Sequence, residues 1–447
     1  MTSSPYSMLR DIKNETGVKN VRELLAMSPA RDPFYCGTKG DMKKAEWFLA
    51  LWDRFGYTGG VHLRRVHYQI VTHADITKPD GKLYVNDDAS WEFLNNAAAA
   101  ARYLGMVDPE LVIDRRNPEP HLNAYIYDHP PVDWSPDWEC WKTPSIDISM
   151  DLELPAFKKT GYTYTDDLQS HHIEVWAEKS TMNDILAPIC RARGVNLVTG
   201  LGFMSISSVI NFLKRVKRSG KPSVVLYISD FDISGTGMPR QVARQIEFWK
   251  SQYCPDLPIQ LEPVVLTKDQ VLEFIPSSHL NKIKGEPGAV TKFKKDFGMD
   301  GSAELDALES LHPGELGKII KNAIDIFQDR DLQAKYQRAR AEADEKLQTV
   351  WEDVLGHYEA DIQDLVERIR EVGRKHVGAF NAEVKPLLEE LETLQQAVTE
   401  DLVYVDIDMP PLPDAEVQGL GREPYFDSSR SYMEQLCYYK NGNGMGS

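Results

Sequence analysis

The chain has 447 residues, 42 % apolar and 27 % charged, with 29 Gly and 26 Pro, a composition that excludes a single small binding module, a fibrous chain and a disordered one. Its net charge of −17 is uneven: Asp329 to Glu416 holds 22 acidic against 10 basic residues, while basic clusters stand elsewhere at Arg64-Arg65, Arg115-Arg116, Lys214 to Lys221 and Lys282 to Lys295. The sequence has no apolar run near the roughly 18 residues of a membrane span and no apolar core of a secretory signal, and its five scattered cysteines read as reduced thiols, so the expected location is cytoplasmic with no membrane partner.

Residues 1–39 read as an N-terminal extension. Residues 40–125 carry helical patterns at KKAEWFLALWDRFG, VHLRRVHYQIVT and ASWEFLNNAAAAARYLG, with a turn and strand at KPDGKLYV. Helix, turn, helix and strand pair is the grammar of a winged-helix domain, with a plain helical bundle as the alternative. Residues 126–170, rich in Pro, Trp and Asp, read as a linker. From Ile173 strands and helices alternate over 171–314: IEVWA, a helix opened by the capping-box spacing Thr181 to Asp184 and closed by Gly194, NLVTG, a helix ending at Gly220, SVVLYIS, a helix through Trp249, and LPIQLEPVVLT. That order predicts a parallel sheet covered on both faces, with ligands at the carboxyl ends of its strands.

Residues 315–401 are helical by pattern, with an apolar stripe from Leu332 through Tyr336, Ala343, Val354, Ile362 and Ile369 to Val372, which predicts a coiled-coil arm or a helical hairpin. The arm is expected to mediate self-association. Residues 402–447 read as an irregular tail. The expected fold class is therefore α/β plus α.

Chemistry concentrates at the end of the third strand, Ser229-Asp230-Phe231-Asp232-Ile233-Ser234-Gly235. Residues two apart in an extended chain point the same way, so Asp230 and Asp232 set two carboxylates side by side. Such a pair stays ionised only beside a cation, and oxygen-only donors suit Mg²⁺ or Mn²⁺. Glu178 ends the first strand of the same sheet and is expected beside them, with Glu304 and Asp306 as distant contributors. His171-His172 reads as a surface turn, because neighbours on an extended chain face opposite ways. Gly200 and Gly202 follow the second strand, and as a lone glycine pair they carry little evidence of phosphate binding. No G-x-x-x-x-G-K-[ST] loop is present, so an ATP-driven step requires a separate ATPase subunit.

Glu178 with the Asp230-x-Asp232 pair resembles the Toprim domain, the metal-binding fold of topoisomerases, primases and several nucleases. Upstream, Leu63-Arg64-Arg65-Val66-His67-Tyr68 resembles the catalytic signature of the A subunit of type IIB DNA topoisomerases and of the meiotic break-forming transesterase, with Tyr68 at the nucleophile position and His67 where the first tyrosine of the signature stands. Asp32-Pro33-Phe34-Tyr35, Ala45-Glu46-Trp47-Phe48 and Glu304-Leu305-Asp306-Ala307-Leu308 are similar to the stand-alone phage- and plasmid-borne Mini-A homologues of that subunit. The resemblance spans about residues 30 to 325. It implies a winged-helix (CAP-like) domain before a Toprim domain, double-stranded DNA as substrate, a homodimer whose tyrosine meets the partner's metal, a 5′-phosphotyrosyl link, and a location at the nucleoid or on a phage or plasmid.

The tyrosine chemistry also stands on its own. A phenol of pKa near 10 needs a base or cation close by to attack phosphorus. Arg64 and Arg65 lie one helical turn before Tyr68, and an arginine can hold the scissile phosphate bidentately. Two other functions remain open on this reading: a metal-dependent nuclease that uses water, and a non-catalytic DNA-binding scaffold.

Overall fold

Helix starts in the N-terminal region follow local capping chemistry. Ser4 caps α1 (Pro5–Thr16), and α2 (Lys39–Arg54) opens on a reciprocal pair in which the Thr38 hydroxyl accepts from the Asp41 N–H while the Asp41 carboxylate accepts from the Thr38 N–H. Between them and the central sheet come α3 (Leu63–Val71) and α4 (Asp88–Tyr103), the latter capped by Asp87. The alanines at 97, 98, 100 and 101 remove side-chain bulk from α4, so α2 packs closely with Phe48, Leu51 and Trp52 against them and against Val66 and Ile70 of α3. The strand expected at KPDGKLYV is reduced to one antiparallel bridge, Thr77 to Leu83, around a turn at Gly81, whose φ of +83° suits glycine. Val61–His62 pairs in parallel with Val112–Ile113.

The structure, a computed structural model, describes residues 4–113, 118–124, 132, 134–138, 156–159, 161–165, 168–200, 204–375 and 380–441. The chain divides into two compact units, Met1–Ile126 with Gln169–Gln328 and Val417–Ser447, and Tyr127–Leu168 with Asp329–Glu416. Arg115, Arg116 and Gly202 lie outside the described residues.

The first unit is built on a sheet of β1 (His172–Ala177), β2 (Asn196–Thr199), β3 (Ser223–Ile228), β4 (Ile259–Val265) and β5 (Phe426–Asp427) in the order β5-β4-β3-β1-β2. Pairs among β1 to β4 are parallel; β5 is antiparallel to β4, with Phe426 opposite Leu261. The alternation of the strands sorts the core. Val175, Leu226 and Ile228 face α5 (Asn183–Ala192), α10 (Leu305–Leu311) and α11 (Glu315–Asp325), while Trp176, Val225 and Tyr227 face α6 (Ile206–Ser219) and α7 (Met238–Tyr253). Two shorter helices, α8 (Lys268–Phe274) and α9 (Pro287–Phe297), follow β4.

Four local expectations need correction. The helix after β1 begins at Asn183 behind a 3₁₀ turn at Ser180–Met182, and Thr181 does not cap it. The helix Glu315–Asp325, assigned to the arm by its pattern, buries Leu316, Ile320 and Ile324 against the sheet unit. The tail is not irregular throughout: its described part supplies β5 and a helix at Tyr432–Asn441, with Tyr425, Phe426 and Leu436 buried. His172 is no surface residue, since it lies buried on β1 with Nε2 2.9 Å from Glu174 Oε1.

That contact belongs to a buried hub. Glu174 accepts from Arg215 Nε and Nη2 at 2.7 and 2.8 Å, from Trp176 Nε1 at 2.9 Å and from Asn196 Nδ2 at 3.2 Å. Burial alone would raise its carboxyl, but Arg215 and His172 outweigh burial and hold it far below the usual carboxylate range. Glu174→Ala strands the Arg215 guanidinium, so denaturant unfolding is expected to lose about 3–5 kcal/mol of stability. A loss under about 1 kcal/mol would contradict the hub.

In the second unit α12 (Leu332–Gly356), α13 (Glu359–Lys375) and α14 (Phe380–Val403) follow one another, with an antiparallel pair of Trp134–Pro136 and Phe157–Lys159. The segment expected as a linker therefore contributes to this unit where it is described. The apolar stripe is covered within the chain: Trp351, Val354, Ile362, Leu365 and Ile369 pack with Val384, Leu387, Leu391 and Val398, and Trp134, Trp138 and Phe157 join them. Ala339 and Ala343 pack with Tyr162, whose hydroxyl donates to the Pro410 carbonyl. The described part of the arm is thus a set of helices whose stripe is covered largely within the chain.

Candidate active site

Parallel pairing brings the carboxyl ends of β1 and β3 level, because Ala177 stands opposite Ile228. Glu178 and Ser229 follow at once. The Asp230 N–H donates to Glu178 Oε2 at 3.2 Å, so the first strand's glutamate reaches the Asp-x-Asp run. Asp230 is only 5 % exposed. Its Oδ1 accepts from the Leu305 N–H at 2.9 Å, and its Oδ2 lies 2.7 Å from Lys179 Nζ. Phe231 faces away and packs on Phe293 and Phe297, while its backbone bridges Ala303. Asp232 Oδ1 accepts from the Gly235 N–H at 2.7 Å, closing the turn. A Cβ at Gly235 would stand 2.1 Å from the Asp230 carbonyl oxygen, so only glycine fits this fold of the chain over the acidic pair.

Glu304 and Asp306 are brought in by Lys179, whose Nζ lies 3.6 Å from Glu304 Oε2 and 3.7 Å from Asp306 Oδ2. Burial, then the negative charges of Asp230 and Asp232, push the Glu178 carboxyl up to about 7. Burial likewise raises Asp230 against the pull of Lys179. Burial works against the Lys179 ammonium, but its bond to Asp230 and the nearby carboxylates outweigh it and raise its pKa.

The donor chemistry, hard carboxylate oxygens with excess negative charge, fits Mg²⁺ or Mn²⁺. Among the described residues no three His, Cys, Asp or Glu side chains are already drawn into a metal-holding group. Lys179 stands among the carboxylates instead.

A raised carboxyl has a definite sign in stability. Glu178 binds a proton more tightly folded than unfolded, so its contribution is present below about pH 4.5 and is lost as pH rises through about 7. Melting in EDTA is expected to fall across that window. Glu178→Gln should flatten the fall and melt higher than wild type at pH 8; parallel curves would contradict the assignment.

The nucleophile candidate lies on α3. Val66, His67 and Ile70 are buried, whereas Arg64, Arg65 and Tyr68 are exposed, Tyr68 at 57 %. Helical spacing thus leaves the tyrosine with an arginine one turn before it on an open face. His67 is not free to serve as a base: its Nδ1 is 2.7 Å from Tyr84 Oη and its Nε2 3.0 Å from Asn86 Oδ1. It ties the turn segment 77–86 to α3, and its ring lies 5.3 Å from that of Tyr68. Among the described residues no hydrogen bond or ion pair joins Tyr68 to Glu178, Asp230 or Asp232 of the same chain.

Other sequence signals are partly consumed by structure. In the Lys214 to Lys221 run, Lys214 pairs with Glu110, Arg215 serves the Glu174 hub, and Lys221 Nζ donates to the Gln169 carbonyl. A groove of about 590 Å³ runs past His62, Leu63, Trp91 and Ser205, and none of the six candidate residues lines it. The roles of Lys179 and Gly235 went unread in the sequence, although a lysine directly after an acidic strand end is a legible sign of local charge compensation. No protein-family model matches the chain, and no curated protein matches its sequence.

Proposed function

We propose that the protein is a Mg²⁺- or Mn²⁺-dependent DNA-cleaving transesterase that acts as a homodimer on double-stranded DNA. In this reading residues 40–125 are a winged-helix DNA-binding domain and the sheet is a Toprim domain. Tyr68 Oη attacks a backbone phosphorus and gives up its proton. The bond from phosphorus to the 3′ oxygen breaks, and that oxygen leaves as a 3′-hydroxyl, so a 5′-phosphotyrosyl link remains. Arg64 and Arg65 hold the non-bridging oxygens and offset the charge that develops on them. Glu178, Asp230 and Asp232 would hold the metal, which when bound neutralises phosphate charge.

The observation that carries this reading is the exposure of Tyr68 one helical turn after two solvent-facing arginines, in a chain whose strand ends gather Glu178 and Asp230. An exposed hydroxyl at this helix position is accessible to a DNA phosphate, as a nucleophile must be. Tyr68 has no bond to the acidic cluster of its own chain, so the reading places it against the partner's cluster. Strand passage in this scheme would use a separate ATPase subunit.

The same lack of contact favours one rival, a hydrolytic nuclease in which the acidic cluster works with water and Tyr68 is idle. Incubation with supercoiled DNA and Mg²⁺, followed by denaturing electrophoresis with and without protease, separates the two. Broken strands that enter the gel only after proteolysis support the transesterase, and free strands without it support hydrolysis. Binding with no metal-dependent break would leave a DNA-binding scaffold.

A further inference from the structure

The acidic cluster holds more charge than its hydrogen bonds account for. Asp230 is buried, and of its two oxygens one is bound by a backbone N–H and the other by Lys179. Glu178 touches the backbone of Asp230, while Glu304 and Asp306 flank the turn into α10. Three carboxylates, Asp230, Glu304 and Asp306, thus lie within 3.7 Å of the Lys179 ammonium, and Glu178 and Asp232 add negative charge beside Asp230. That ammonium bridges the end of β1 to the 304–306 segment, elements more than a hundred residues apart in the chain.

We infer that Lys179 is the built-in counter-cation of this site: without metal it holds Asp230, Glu304 and Asp306 together, and it competes with a divalent cation for Asp230. The inference rests on the metal role given to Glu178, Asp230 and Asp232 above. An ammonium 2.7 Å from Asp230 Oδ2 leaves no room for a second cation on that oxygen without close repulsion between like charges. Loading the site therefore moves Lys179 off Asp230. The flexible lysine stem, 29 % exposed, permits the move, and Glu304 and Asp306 can keep the displaced ammonium near the cluster. Lys179 is in this account a positioning residue that sets how readily the site takes its metal.

The test uses the full-length protein and Mn²⁺ alone, with binding followed by calorimetry and melting followed in EDTA and in Mn²⁺. Lys179→Met removes the charge and keeps most of the length; Lys179→Arg keeps the charge. The methionine variant is expected to bind Mn²⁺ several-fold more tightly than wild type, to melt lower in EDTA and to gain more from Mn²⁺. The arginine variant should stay close to wild type. Equal or weaker Mn²⁺ binding by the methionine variant, or unchanged melting in EDTA, overturns the role of Lys179 while leaving the metal site standing. A wild-type protein that takes up no Mn²⁺ overturns the metal reading and this inference with it.

Discussion

Tyr68→Phe is expected to abolish both strand cleavage and the protein–DNA adduct while DNA binding and folding persist. The substitution removes one oxygen and keeps the ring. At 57 % exposure, with no other side chain bonded to its hydroxyl among the described residues, that oxygen contributes little to stability. Surface changes of this kind stay within about 0.5 kcal/mol. Loss of the bond-forming atom, in contrast, removes the reaction path itself, so the fall in cleavage should reach the detection limit. Arg64 and Arg65 remain on the same face to hold phosphate, which is why binding is expected to survive. Cleavage at the wild-type rate with free 5′-phosphate ends would show that the hydroxyl is idle and move the chemistry to a hydrolytic site.

Asp230→Asn is the second large effect. The amide keeps an oxygen to accept from the Leu305 N–H, so the turn and the packing of Phe231 should hold. What disappears is the buried charge that faces Lys179 and, in the proposed chemistry, a metal ligand. Metal-dependent cleavage is expected to drop by at least about two orders of magnitude, the scale of losing one preorganised electrostatic group in a catalytic site. Circular dichroism should be unchanged, and melting in EDTA should shift only by the difference between the lost Lys179 pair and the relieved repulsion from Glu178 and Asp232. A variant that cuts normally in Mg²⁺ would remove Asp230 from the site, and Glu178→Gln would then decide whether any metal is held at these strand ends.

The central sheet was legible because its signals are short in range and mutually consistent. SVVLYIS, all apolar or small, the Gly220 end of α6 and the regular alternation of strand and helix each demand the same layer structure. The meeting of Glu178 with Asp230 followed from parallel pairing, in which strand ends line up. What escaped is non-local. The β5 pairing spans two residues and carries no periodicity, and it is held by aromatic burial of Tyr425 and Phe426 against strands more than 150 residues earlier. His172 looked like half of a surface pair because the charge that fixes its partner Glu174 in the interior, Arg215, is presented by α6, 41 residues beyond Glu174.

In the arm, α12 ends at Gly356 inside the stripe, and apolar residues of α12, α13 and α14 cover one another, a cover that the spacing alone, which allowed an extended coiled coil or a hairpin, does not decide. At the candidate site, exposure was the quantity that sequence could not supply. Val66 and Tyr68 are both compatible with a buried helix face, and only the packing of α3 on α2 and α4 shows that the first is buried and the second is not.

The most direct measurement is mass spectrometry of the protein after reaction with DNA and Mg²⁺, nuclease trimming of the bound strand and proteolysis. The account predicts that the peptide containing Tyr68 carries the added mass of a nucleotide attached through a 5′-phosphate, and that the addition is lost in Tyr68→Phe and Asp230→Asn. An unmodified Tyr68 peptide from a sample in which the DNA has been cut would contradict it.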